Sequence, residues 1–108
     1  GGHENIWTPE DMFVASMELC TMDTFLWLAE KKRLDIISYE SETLGLASMS
    51  DGKMRFTAID VRPDVVVHEE EDIGKVKKLF DSIDNWCLIS NSISTVINIV
   101  PDIRVEEI

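Results

Sequence analysis

The sequence predicts an α+β fold, and three observations carry that prediction. A long apolar helix opens the chain, two β-like runs follow around an Asp-Gly pair, and an amphipathic helix precedes a last β-like run. Helix, hairpin, helix and strand in that order is the pattern of α+β packing rather than of a parallel βαβ series. At 108 residues the chain fits one domain, residues 1–108, and leaves little room for a second.

Residues 1–7 read as a lead-in loop. Thr8 is a strong helix start, because its hydroxyl can accept from the N–H three residues on. Pro9 suits the first helical position, and Glu10 and Asp11 complement the positive helix end. The helix is expected to run from Pro9 to about Lys32. Phe13, Val14, Met17, Leu19, Cys20, Met22, Phe25, Leu26 and Leu28 make it apolar nearly all round. Such a helix is expected to be buried on every side, with a second subunit covering part of it.

Residues 34–49 and 53–67 read as strands joined at Ser50-Asp51-Gly52, a good hairpin signal. Pro63 cannot donate to a ladder, which points to an edge, a bulge or a break in the second strand. The acidic run Glu69, Glu70, Glu71 and Asp72 opens a second helix as a solvated start. Ile73, Val76, Leu79, Phe80, Ile83 and Trp86 supply its apolar face at three- and four-residue spacing. A short helix is expected from about Cys87 to Ser94, where Ser90 can act as a local cap. A final strand over residues 95–105 runs around Pro101.

Charge narrows the function classes. Ten Lys and Arg stand against 21 Asp and Glu, a net −11. That field repels phosphate backbones and anionic lipid, so neither nucleic acid nor a membrane surface is an expected partner. No apolar run reaches the roughly 18 residues that span a bilayer. Two Cys do not make a secreted disulfide framework, so the cytoplasm is the expected compartment. His3 and His68 lack ligand-like spacing, and no metal site is expected from them. Met12, Met17, Met22, Met49 and Met54 read as core filler, and Trp7 and Trp27 as lining of an interface or pocket.

The chemistry, if any, belongs to the thiols. Cys20 sits mid-helix, where a small core side chain is the ordinary role. Cys87 follows Trp86 at a helix junction, a place where a thiol pKa can be lowered. The two are 67 residues apart and can meet only through tertiary folding. If they meet, one can be oxidised by peroxide to a sulfenic acid that the other resolves as a disulfide. Glu10 is fully explained by helix-start electrostatics. Ten residues of helix span about 15 Å, so it cannot touch Cys20 of its own helix. It can approach Cys20 of a second chain whose helix packs antiparallel, as a two-fold dimer allows.

The segment Trp7-Thr8-Pro9-Glu10-Asp11-Met12-Phe13-Val14-Ala15-Ser16-Met17-Glu18-Leu19-Cys20 resembles the Pro-Glu-x-x-(small and apolar)-Cys helix of the OsmC and organic-hydroperoxide-resistance (Ohr) proteins. Cys87-Leu88-Ile89-Ser90 resembles the same family's Cys-Pro-x-Ser motif, with Leu88 in place of Pro. The resemblance implies an intertwined homodimer with a long buried central helix and an antiparallel sheet. It also implies a thiol peroxidase that reduces organic hydroperoxides with no metal or prosthetic group and is recycled by an external dithiol. Cys20 would be the peroxidatic thiol, Cys87 the resolving thiol, and Glu10 the residue that orients a thiolate-stabilising Arg. In the family that Arg comes from strands before the first helix. This chain opens Gly1-Gly2 without an initiator Met and has no such strands. Either the hairpin precedes Gly1 or this member lacks the Arg, since Arg33, Arg55, Arg62 and Arg104 match no part of that motif. The competing expectations are a dimeric OsmC-like ligand-binding or interaction protein without peroxidase competence, and a static Cys20–Cys87 bond.

Overall fold

The computed structural model describes residues 8–107, so the lead-in loop, His3 and Trp7 lie outside the described residues. The first helix, α1, spans Pro9–Lys31. Its start is a reciprocal cap: the Asp11 N–H donates to the Thr8 hydroxyl at 3.1 Å, and the Thr8 N–H donates to the Asp11 carboxylate at 3.2 Å. These bonds hold the Asp11 carboxyl below its usual range. Its end is a Schellman turn. Arg33 takes φ 56°, its N–H bonds the Glu30 carbonyl, and the Leu34 N–H bonds the Ala29 carbonyl at 2.9 Å.

Strands β1 (Ile36–Ser50) and β2 (Lys53–Val67) form a long antiparallel hairpin. Asp51 and Gly52, both at positive φ, make its turn. The register shifts between Ile36 and Ser38 and between Leu46 and Ala47. Helix α2 (Glu71–Ser82) follows, then a single 3-10 turn (Ile83–Asn85), helix α3 (Leu88–Asn91), and strands β3 (Val96–Ile99) and β4 (Asp102–Val105). Both β3 and β4 pair with β2, and both do so in parallel. The sheet is therefore mixed, not antiparallel throughout. The physical reason is the helical crossover after β2, which carries the chain back to the end from which β2 itself starts.

Pro63 is also placed differently from expectation. It is fully buried in β2, which is the central strand and runs unbroken through it. The break lies in the neighbouring ladder. β3 pairs with residues 58–61 and β4 with residues 64–67, and the Val100–Pro101 step between them passes opposite Pro63. The Val61 and Val67 carbonyls both accept from that side, so alternation along β2 turns the Pro63 nitrogen toward the gap. The missing donor costs no ladder bond.

The core lies between the helices and one face of the sheet. Phe25, Leu28 and Ala29 of α1 meet Val65 and Val67 of β2, Val76, Leu79 and Phe80 of α2, Ile83 and Cys87. Phe25 and Phe80 stack at 4.4 Å. Toward the other end of α1, Met17 packs on Ile59 and Val61. Gly45 lets β1 approach this layer, because a Cβ there would lie 2.7 Å from both Val14 and Phe56.

Burial along α1 is partial within one chain. Within the chain only Met17, Thr21, Phe25, Leu28 and Ala29 are buried, one stripe against the sheet, while Met12, Leu19, Leu26 and Trp27 are exposed. Trp86 is not on the buried face of α2 either. It is 56% exposed, because the 3-10 turn rotates it out of the helical phase. Met12, Met49 and Met54 are likewise exposed rather than core. One further expectation is corrected. An 18-residue window of α1 has mean hydropathy 1.3, so by length and composition this helix is long and apolar enough to cross a membrane. The core helix of a globular domain meets the same test when, as here, one stripe packs on a sheet.

Candidate active site

Cys20 projects from the middle of α1, and Cys87 lies immediately before α3 as its N-cap residue. Between them in sequence stand the hairpin and α2, and α2 is what closes the distance. Its stack on Phe25 and its burial of Ile83 bring the following turn down onto α1. The Cys87 N–H then bonds the Ile83 carbonyl at 2.9 Å, which fixes the cysteine against that turn. Cys87 is 2% exposed, Cys20 is half-buried and packs against the core cluster that contains Cys87, and both thiols are free.

The Cys20 thiol is held above its ordinary pKa. Burial is the main cause, and the neighbouring Cys87 thiol adds to it. Two groups act in the opposite sense: hydrogen bonding from the Ile89 backbone N–H and from the Thr24 hydroxyl favours the thiolate. Among the described residues, none of the groups shifting Cys20 is a cation. Arg104 is engaged elsewhere, in a forked pair with Asp64 at 3.1 and 3.0 Å. Arg62 lines open clefts of ≈ 620 and ≈ 490 Å³ among Glu40, Glu42, Asp60 and Asp64, and neither cleft is lined by a thiol. Arg55 lines a shallower one beside Phe13 and Phe56.

Glu10 sits exposed in the first turn of α1, ten residues from Cys20 on the same helix, so within one chain it is not brought to the thiols. Ser90 does not cap α3. Its hydroxyl donates back to the Cys87 carbonyl at 3.2 Å. His68 lies between Asp35, at 2.9 Å, and Glu106, at 3.6 Å. Trp27, two turns beyond Cys20, meets Trp86, the neighbour of Cys87, edge to face at 5.5 Å, and Lys31 lies over the Trp27 ring. The same two segments thus carry a sulfur pair and an aromatic pair side by side. Thr24 and the Ile89 N–H were not anticipated from sequence. The Cys-x-x-x-Thr spacing, one helical turn, was the available signal for Thr24, whereas no sequence pattern marks a backbone N–H.

A mixed sheet covered by a long helix, with two free thiols brought into one cluster at the helix junction, defines the class of the molecule. The chain belongs to the OsmC-like protein family, whose model matches residues 2–101. Among solved structures it is similar to an OsmC-like protein of unknown function from Vibrio cholerae O1 biovar eltor, at 32% identity and a TM-score of 0.75 over 88% of this chain. It spans 62% of that protein's length. It also shares its fold with the organic hydroperoxide resistance protein OhrB of Bacillus subtilis, at 19% identity, TM-score 0.66, and 93% and 72% of the two chains. An organic hydroperoxide resistance protein OsmC from Legionella pneumophila aligns at 13% identity, TM-score 0.72, and 99% and 74% of the two chains. No curated protein sequence matches the chain.

Proposed function

We propose that the chain reduces organic hydroperoxides through Cys20, with Cys87 as the resolving thiol. The observation that carries this reading is the meeting, in one packed cluster, of two free thiols 67 residues apart in sequence. Family membership and the hydroperoxide-resistance proteins among its fold relatives agree with it. In the first step the Cys20 thiolate attacks a peroxide oxygen. An S–O bond forms, the O–O bond breaks, and the alkoxide leaves as alcohol after taking a proton. The Cys87 thiol then attacks the sulfenic sulfur, the S–S bond forms, and water leaves. An external dithiol returns two electrons and two protons. Such reductants are plentiful in the cytoplasm, which is where we place the chain.

The working form in this reading is a homodimer. Met12, Ala15, Leu19, Met22 and Leu26 recur at alternating three- and four-residue steps along α1, and Met12 and Leu19 are 62% and 54% exposed. A seam of that spacing packs on another helix, and a second copy supplies one. An antiparallel copy would also carry its Glu10 toward Cys20.

The assay is consumption of cumene hydroperoxide by the full chain with dithiothreitol as reductant. Dithiol-dependent turnover is expected, with loss of both thiols when the reductant is left out. Cys20→Ser should abolish consumption. Cys87→Ser should still oxidise once, to a sulfenic acid that dimedone traps. Consumption unchanged in Cys20→Ser would overturn the reading. One observation favours a second reading, a ligand-binding dimer without peroxidase competence: among the described residues no cation shifts Cys20, and burial raises its pKa. That reading predicts thiols that stay reduced in mild peroxide.

A further inference from the structure

We propose that the cleft at the open end of β2 binds a small organic anion, a carboxylate carried on a flat apolar body. The inference does not rest on the peroxidase reading, because neither sulfur lines this cleft.

The cleft exists because β3 is short. Its ladder with β2 begins at the Ala58–Val96 pair. Residues 53–56 of β2 therefore pair with β1 on one side and, among the described residues, with no strand on the other. The chain entering β3 is held at this edge by Thr95, whose hydroxyl donates to the Phe56 carbonyl at 3.1 Å. An open cleft of ≈ 390 Å³ lies between the edge and the Ser94-Thr95 step. That volume is near the lower end for small-molecule sites and admits one ring system with a polar head.

The two sides of the cleft differ in chemistry, because successive side chains of a strand point to opposite faces. Phe56 turns toward α1, where its ring stacks on Phe13 at 5.2 Å with 27° between the planes. Both rings are half-buried, and together with Met54 they make a flat apolar wall. Lys53 and Arg55 alternate with these residues and bring two cations to the opposite side. Neither cation has an ion pair among the described residues. The two larger clefts hold several carboxylates each, whereas the described lining of this one holds none. In a chain of net charge −11 that is a local reversal of sign. A guanidinium can fork onto a carboxylate, the exposed Ser94 hydroxyl can donate beside it, and a flat ring can stack on Phe56.

The test is amide NMR of the full chain, titrated with naphthoate and separately with the neutral naphthylmethanol. Naphthoate is expected to shift the amides of residues 53–56, 94 and 95, with a Kd of about one millimolar for a ligand of its size. Naphthylmethanol should bind about tenfold more weakly, and Arg55→Gln should weaken naphthoate about tenfold, the worth of one hydrogen bond to a charged group. Arg62→Gln removes the same charge from the acidic clefts and should leave naphthoate binding unchanged. Both arginines are exposed, so neither change threatens the core. No shift at these amides, shifts confined to the exposed seam of α1, equal binding of the neutral alcohol, or equal losses in Arg55→Gln and Arg62→Gln would each overturn the proposal.

Discussion

Tyr39→Phe should stabilise the protein. The Tyr39 hydroxyl is buried with no hydrogen-bond partner among the described residues, while its ring packs on Phe25 at 5.6 Å. Phenylalanine keeps the ring and removes the group that lost water without replacement. An unsatisfied buried polar group costs about 1–3 kcal/mol. Against this, a void the size of one oxygen costs a few tenths of a kcal/mol at ~24 cal/mol per Å³. The net gain is about 1–2 kcal/mol, and each kcal/mol moves the melting temperature by roughly 4–8 °C in a domain near this size. The gain should also grow with pH. Burial, with the nearby Glu18 carboxylate, holds the Tyr39 pKa well above its ordinary value. Above about pH 10 the unfolded tyrosine ionises while the folded one stays protonated, so the wild type loses stability as pH rises. Phenylalanine has nothing to lose. Far-UV circular dichroism melts of both proteins, at equal concentration near neutrality and near pH 10.5, give the comparison. A less stable Tyr39→Phe, or a gap that does not widen with pH, refutes the reasoning.

Gly45→Ala should destabilise by about 1–3 kcal/mol in urea unfolding, the usual cost of overpacking, because its methyl would press on Phe56 and Val14 at 2.7 Å. Arg33→Gly should stabilise by about 0.5–1 kcal/mol, measured by the same unfolding, since Arg33 holds a left-handed conformation at φ 56° that glycine adopts without strain. Cys20 alkylation should accelerate with pH through a midpoint above that of a free thiol, because burial favours the protonated form. A midpoint below that of a small-molecule thiol control in the same assay would contradict the burial argument.

Local chemistry made several elements legible. The Thr8 cap, the Asp51-Gly52 turn and the start of α2 each depend on a few neighbouring residues, and their positions were readable to within one or two residues. Pro63 was misread because its effect depends on what stands opposite it, a gap between two strands that lie about 35–40 residues further on. Trp86 was misread because the helical phase it seemed to continue stops at Ser82. The parallel pairing of β3 and β4 depends on the direction in which a crossover returns, which apolar spacing does not encode. In the candidate site both sulfurs were legible as residues. Their contact follows from α2 docking on Phe25, a long-range event. Thr24 was overlooked because a threonine among core positions reads first as filler.

The crossover after β2 has a consequence for assembly. The hairpin closes through a two-residue turn, whereas β3 and β4 reach β2 only across loops of some 35 to 40 residues, and closing a longer loop costs more chain entropy. The returning segment carries Cys87 with it. Bringing the two sulfurs together closes a loop of 67 residues, longer still, so their meeting is expected to follow the hairpin.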